Sequence, residues 1–255
     1  MRSLVSFGFL IGPLGGALLL GALSYKGLFW GTAVVYLSIA ASVMLFLPSG
    51  LHGSTRKNKA KRISAFRDKK FRQPMCAFIL LFAVNAVNSI NTPLFIVNEL
   101  QGTHAEVGLA VSVCAGLEIP IMIVLGALNR KISNRMLMIG GCLIAMLYFL
   151  LLSVSTQSWE LIAAQLLQAT FVAIVMGNGL SYFTGLLPHA PGIATTFYAN
   201  SSTIGRLVGS LGSGFIAQYI GFRYVNEVCL IIAAFALLIF WRSRAQATAS
   251  MDGAA

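Results

Sequence analysis

Residues 136–156 read MLMIGGCLIAMLYFLLLSVST, a run without a charged side chain. About 20 apolar residues cross the ~30 Å hydrocarbon core of a bilayer as a helix, and a helix satisfies its backbone polar groups internally. Similar runs fill most of the chain, giving predicted spans at residues 3–24, 27–47, 74–98, 107–128, 136–156, 160–187, 192–220 and 224–241. The sequence therefore predicts an all-α membrane protein with eight transmembrane helices.

The basic residues between these runs predict the orientation. With the N-terminus in the cytoplasm, fifteen of the eighteen Lys and Arg side chains lie on the cytoplasmic side, nine of them between residues 56 and 72. Lys26 and Arg223 face outward, and Arg206 lies inside a span. Such an asymmetry is what the positive-inside rule describes. We expect a multi-pass protein of the cell inner membrane with both termini in the cytoplasm.

The net charge of +11 also permits an anionic partner such as nucleic acid or acidic lipid. Because the topology rule explains the same charges, we predict no nucleic-acid partner. The cysteines give no sign of a metal site, since they fall within spans without ligand spacing, and we expect packed thiols and no cofactor. They are Cys76, Cys114, Cys142 and Cys229.

One connection, residues 48–73, is long, polar and basic, whereas the others are about three to ten residues. It separates two helices (1–47) from six helices (74–241), which a cytoplasmic tail (242–255) follows. Six helices is the size of one half of a major facilitator, whose halves are repeats. The pattern predicts a major facilitator-type helix bundle, with the last two helices of the N-terminal half and a full six-helix C-terminal half.

Polar side chains follow one face of the third, sixth and seventh spans, and the fourth carries Glu118 near its midpoint. Such groups are costly in a membrane, so their arrangement is informative. Amides and hydroxyls suit a hydroxyl-rich ligand, because each sugar hydroxyl both donates and accepts. The alternative is hydrogen bonding between helices, but stripes on four helices favour a shared polar cavity. The stripes are Asn85, Asn88, Asn91 and Thr92; Gln165, Gln168, Asn178 and Tyr182; and Thr196, Asn200, Thr203, Arg206, Ser210 and Ser213.

Two charged residues, Glu118 and Arg206, lie near the middle of their spans. Each costs about 2.5–3.5 kcal/mol at mid-span on insertion scales, so neither is expected to face lipid. Counted from their membrane faces, their depths differ by only about 3 Å, which permits a buried ion pair. The functional alternative is that Glu118 is a proton-coupling carboxylate. The two interpretations oppose each other, because a close Arg206 holds Glu118 ionised.

The sequence gives no support to an enzyme. His52, His104 and His189 are scattered, and both aspartates, Asp68 and Asp252, lie outside the spans. Neither a Walker A loop nor a His-Glu-x-x-His motif is present in the sequence.

Three stretches resemble the bacterial sugar efflux transporter family of the major facilitator superfamily. They are AGLEIP at 115–120, NRKISNR at 129–135 and GIATTFYANS at 192–201. The resemblance covers about residues 1–241, aligned with the family's fifth to twelfth helices. Gly12-Pro13 looks like a weakened antiporter motif, and residues 126–135 are similar to the superfamily loop motif, although Arg130 stands where that motif usually carries Asp.

This resemblance implies proton-linked export of sugars or sugar-like solutes, driven by the proton gradient, with Glu118 and the amide stripes in the wall of the C-terminal cavity. In the alignment Met1 falls at the family's fifth helix, so we expect four helices to be absent. The alternatives are a multidrug-type efflux antiporter and a truncated, non-transporting remnant or assembly subunit.

With four helices absent, the polar stripes are expected to lack an opposite wall, which leaves amides unsatisfied in hydrocarbon. We therefore expect the isolated chain to transport poorly and to be unstable or oligomeric, with the missing N-terminal helices or a second copy as partners. The six-helix block 74–241 is expected to keep its own packing.

Reporter fusions test the predicted orientation. A reporter that is active only in the cytoplasm is expected to be active after residue 60 and inactive after residue 158. An outward-facing residue 60 would contradict the topology.

Overall fold

The computed structural model describes residues 25–46, 69–128, 132–188 and 190–252. The regular structure of these residues is entirely helical, which confirms the all-α prediction. The predicted first span and most of the basic linker lie outside the described residues. The helices are α1 (Tyr25–Phe46), α2 (Lys69–Asn98), α3 (His104–Leu128), α4 (Asn134–Val154), α5 (Ser158–Val172), a π-helical turn (Ala173–Gly177), α6 (Asn178–Leu186), α7 (Pro191–Ile220) and α8 (Phe222–Asp252).

Among the described residues, five helical segments are long and apolar enough to cross a membrane. They are Phe71–Asn98, His104–Leu128, Asn134–Val154, Ser158–Leu186 and Phe222–Arg242. The predicted span 192–220 does form a helix, α7, with 30 residues, but its polar stripe lowers its mean hydropathy below that of the five. In α1 the residues with described side chains include one shorter apolar stretch, Phe29–Ser42. The count of eight spans therefore stays a prediction.

Two helices extend beyond the predicted spans. Helix α2 begins at Lys69, five residues before the predicted boundary at 74, so three basic residues lie in its first turns. Helix α8 continues past the predicted end at 241 to Asp252. The predicted linker and tail therefore both contain helical residues.

Helix α2 lies at the centre of the described bundle. It packs most extensively against α7, then against α8, and over a smaller area against α3. Helix α8 also packs on α4, and α3 on α5. Helix α1 makes no extensive contact with the other described helices, and nearly all of its described side chains are exposed.

An aromatic cluster from four helices fills the space beside α2. Its centre is Phe78, whose ring centroid lies 4.9 Å from that of Phe183 and 5.7 Å from that of Phe240. Phe82 packs edge-on against Tyr198 at 5.5 Å. In a bilayer the lipid tails are as apolar as these rings, so close van der Waals packing stabilises such contacts.

Two glycines allow α7 to approach the main chain of α2. A Cβ atom at Gly205 would lie 2.5 Å from the carbonyl oxygen of Ile79 and 2.6 Å from Cβ of Phe82. A Cβ atom at Gly209 would collide with the carbonyl oxygen of Ala83 and lie 2.8 Å from its Cα. Small residues four positions apart permit this close crossing within a membrane, and the spacing of Gly205 and Gly209 is visible in the sequence.

We predict that Gly209→Ala destabilises the bundle by about 1–3 kcal/mol, because the added methyl group meets main-chain atoms that have nowhere to move. Gly214→Ala in the same helix is the matched control, since nothing lies within 4 Å of a Cβ there. Thermal melts of the two variants in detergent provide the measurement. Equal melting temperatures would contradict the close α2–α7 crossing.

Candidate functional site

Three asparagines of α2, namely Asn85, Asn88 and Asn91, contact three different helices. Gln168 on α5 donates from Nε2 to Oδ1 of Asn85, at 3.3 Å. Asn88 accepts at Oδ1 from the hydroxyl of Tyr148 on α4, at 3.1 Å. Asn91 donates from Nδ2 to Oδ1 of Asn226 on α8, at 3.1 Å. The predicted stripe is therefore divided among neighbours.

Asn85 and Asn88 belong to one polar group between α2, α4 and α5, which we call the amide cluster. Its members are Asn85, Asn88, Thr92, Tyr148, Gln165 and Gln168. Thr92 donates to Oδ1 of Asn88 at 2.8 Å, and Gln165 neighbours the hydroxyl of Tyr148. All members are buried except Asn85, which is half-buried. The structure thus brings together four of the predicted site residues.

One buried acceptor atom of the amide cluster lacks a partner. Gln168 is 4 % exposed, and its Oε1 accepts no hydrogen bond from the residues that the structure describes. A buried acceptor without a donor costs about 1–3 kcal/mol, so an unsatisfied group of this kind needs an explanation. A ligand hydroxyl or a water molecule has the chemistry to satisfy it.

Glu118 lies on α3 at nearly the same depth. The thiol of Cys114 is close enough to interact electrostatically with both Tyr148 and Glu118. Because α3 is antiparallel to α2, the four residues from Cys114 to Glu118 lead about 6 Å along the axis, towards the level of Asn85. The Glu118 side chain is half-buried.

Arg206 and Asn200 lie on α7, away from the amide cluster. Gly209 of α7 is level with Ala83 of α2, so Asn200 sits about 17 Å along the bundle from Asn85. The Arg206 side chain is exposed, and α3 and α7 do not pack extensively on each other. Within the described residues, no ion pair joins Arg206 to Glu118, although that pair was one of the two expectations.

Asn178 and Tyr182 lie far along the helix from Gln165 and Gln168. The interval from Gln165 to Tyr182 spans about 25 Å, more than one sugar can bridge. The π-helical turn at Ala173–Gly177 also breaks the assumed spacing of 100° per residue. Tyr182 packs in the aromatic cluster, 5.6 Å from the ring of Phe78, and Asn178 is buried. The polar residues predicted on one face of this span therefore lie in two separate parts of the bundle.

Two partners of the α2 asparagines were not predicted as site residues. Tyr148 stands in a span without a polar stripe, and Asn226 stands near one end of its span. The signal that identifies Tyr148 is its position within an otherwise apolar stretch of the sequence. A tyrosine hydroxyl buried in a helix bundle usually has a hydrogen-bond partner, and an apolar helix leaves that partner to a neighbouring helix.

Arginines tie α8 to its neighbours near both ends of the bundle. Arg135, at the start of α4, donates from Nη2 to the carbonyl oxygen of Phe240 at 2.9 Å. Arg223, at the start of α8, donates to the carbonyl oxygen of Ser153 at 2.7 Å and lies over the ring of Phe95 at 5.4 Å. Both are thus structural contacts as well as the loop charges that the topology rule counts.

Comparison with known proteins places this helical bundle in a family. The family model described as Major Facilitator Superfamily matches residues 75–253. The chain belongs to the Major Facilitator Superfamily. This membership covers α2 to α8, including the amide cluster, and it places the chain among membrane transporters and not among enzymes, as predicted.

Several curated proteins of the superfamily are similar over most of the chain. Sugar efflux transporter A of Dickeya chrysanthemi is 31% identical over 248 residues, which is 96% of this chain and 62% of that protein. Sugar efflux transporter C of Escherichia coli (strain K12) is 30% identical over 243 residues, or 91% of this chain and 62% of that protein. Maltose permease of Geobacillus stearothermophilus is 25% identical over 243 residues, 60% of its length.

These relatives confirm the resemblance to sugar efflux transporters that the three sequence stretches indicated. The chain spans 59–64% of the length of the sugar efflux relatives that it matches.

We predict that the Asn91–Asn226 pair stabilises the bundle and does not contact ligand. Asn91→Leu should lower stability by about 1–2 kcal/mol, because it leaves Asn226 without its partner. The double variant Asn91→Leu/Asn226→Leu should regain most of this loss, since replacing both polar groups by apolar ones removes the unsatisfied atoms. Melting temperatures of the three proteins test this, and a double variant less stable than the single one would contradict it.

Proposed function

We propose that this chain acts in the export of sugars or sugar-like solutes across the inner membrane, in exchange for protons. The amide cluster is the sugar-contacting part, Glu118 is the coupling carboxylate, and both termini lie in the cytoplasm. The relatives named as sugar efflux transporters support the substrate class.

The observation that carries the proposal is the unpartnered Oε1 of Gln168 beside the half-buried amide of Asn85. A sugar hydroxyl can donate to the first and accept from Nδ2 of the second, since it has both functions. The two side chains come from different helices, α2 and α5, so the affinity for a ligand that contacts both depends on the distance between those helices.

The distribution of aromatic side chains favours a sugar over an amphipathic drug. Among the described residues, the largest aromatic group is the cluster around Phe78, and its rings are packed against one another inside the bundle. Pockets for apolar ligands are lined predominantly by hydrophobic and aromatic side chains. The groups gathered near the level of Glu118 are mainly polar amides, with the single buried ring of Tyr148.

Two features support a coupling role for Glu118. It is half-buried, and its depth matches that of the Asn85–Gln168 pair. Proton uptake there and sugar binding at the amide cluster occur within one or two helical turns of each other.

The experiment uses the full 255-residue chain in nanodiscs and proteoliposomes, with labelled glucose, galactose, lactose and maltose. We expect at least one of these sugars to bind and to exchange slowly across the liposome membrane. An acidic exterior should accelerate efflux of that sugar. Glu118→Gln should abolish this acceleration and leave sugar exchange intact, because the amide cannot release a proton.

Glu227→Gln serves as the matched control, because Glu227 is an exposed carboxylate near the start of α8. It should respond to the pH gradient as the unmodified chain does. Absence of binding to every sugar would contradict the substrate class. A Glu118→Gln chain that still responds to the gradient would contradict proton coupling through this residue while leaving sugar export in place.

A further inference from the structure

The inference concerns Tyr148, which lies on α4, a helix without a polar stripe. Its side chain is 0 % exposed, and its ring packs edge-on against Phe149 at 5.0 Å. The only polar group of this side chain is the hydroxyl, which donates to Oδ1 of Asn88 at 3.1 Å. The hydroxyl also neighbours Thr92 and Gln165, so it lies where α2, α4 and α5 meet.

The hydroxyl of Tyr148 determines how the Asn88 amide is turned. Oδ1 of Asn88 accepts from Tyr148 and also from Thr92, at 2.8 Å, and a carboxamide oxygen has two lone pairs. Its acceptor capacity is therefore filled. Because the amide group is planar, fixing the oxygen also fixes the direction of Nδ2. Within the described residues, Nδ2 of Asn88 donates to no partner.

Asn85 repeats this arrangement one turn earlier on α2. Its Oδ1 accepts from Nε2 of Gln168, and its Nδ2 likewise donates to no described residue. Two carboxamide N–H₂ groups, three residues apart and thus on one face of the helix, are left with free donors. Oδ1 of Asn88 already accepts two hydrogen bonds and Oδ1 of Asn85 accepts one.

We propose that Tyr148 is a positioning residue that turns Asn88 so that α2 presents paired hydrogen-bond donors to acceptor oxygens of the transported solute. This rests on the proposed sugar-binding role of the amide cluster. Tyr148 does not touch the solute itself, because it is completely buried behind Asn88. Without its hydroxyl, Thr92 alone holds Oδ1, and the amide can rotate.

The test is a double-mutant cycle on the full chain in nanodiscs. Tyr148→Phe keeps the ring and its packing, so the variant should fold. It should raise the Kd for the best-binding sugar of the glucose, galactose, lactose and maltose panel about five- to tenfold, as expected for loss of one well-placed hydrogen bond. Asn88→Ala should raise the Kd by a similar factor. Adding Tyr148→Phe to Asn88→Ala should change it by less than about twofold, because residues that act through one contact are not additive.

A second measurement separates positioning from general loss of structure. The unmodified chain should discriminate between the sugar and at least one of its monodeoxy analogues, and both Tyr148→Phe and Asn88→Ala should lose that discrimination. A general loosening of the bundle would raise the Kd for both ligands by the same factor. Tyr198→Phe is the matched control, since it removes a buried tyrosine hydroxyl that donates to the main-chain carbonyl of Met176 instead, and it should leave the Kd unchanged.

The outcomes distinguish this inference from the proposed function. If the unmodified chain binds a sugar and Tyr148→Phe binds it equally well, or if the two substitutions are additive, the positioning role is wrong and sugar binding stands. If the unmodified chain binds no sugar of the panel, the proposed function fails, and the role assigned to Tyr148 fails with it.

Discussion

The close crossing of α2 and α7 determines how α2 is turned within the bundle. Gly205 and Gly209 let the two main chains meet, so the face of α2 that carries Ile79, Phe82 and Ala83 is committed to α7. The aromatic contacts of Phe78 commit a second face to α6 and α8. The face that remains carries Asn85 and Asn88, and it meets α4 and α5. The position of the amide cluster on α2 thus follows from the contact that Gly205 and Gly209 of α7 allow on another face of α2.

The sequence predicted the helices of this bundle, and it identified several polar side chains that meet inside it. It did not predict which side chains are their hydrogen-bond partners. At 100° per residue, Asn85, Asn88 and Asn91 fall within an arc of about 120°. An arc of that width faces three neighbouring helices: Asn85 contacts α5, Asn88 contacts α4 and Asn91 contacts α8. The helical periodicity of a sequence gives the angle at which each side chain leaves its helix. It does not say which other helix packs on that side.

A single polar residue in an apolar span gives no periodic signal at all, and Tyr148 was missed for that reason. Its partner Asn88 was identified only because other polar residues share its stripe. The same limit applies to Glu118 and Arg206. Their similar depths follow from sequence position, but their helices are not direct neighbours, and depth alone does not bring two charges together. The glycine spacing of α7 was more informative, because contact at a glycine requires only that another backbone be present.

The π-helical turn between α5 and α6 has a consequence for comparing this chain with its relatives. One additional main-chain residue per turn shifts every later side chain by roughly a quarter of a rotation. A homologue whose helix is uninterrupted here needs a one-residue gap between Gln168 and Asn178 for structurally equivalent positions to coincide. Ungapped matching would pair Tyr182 with a residue on a different side of the homologous helix. Equivalent residues in this segment are therefore best identified by superposing structures, and not by an ungapped sequence alignment.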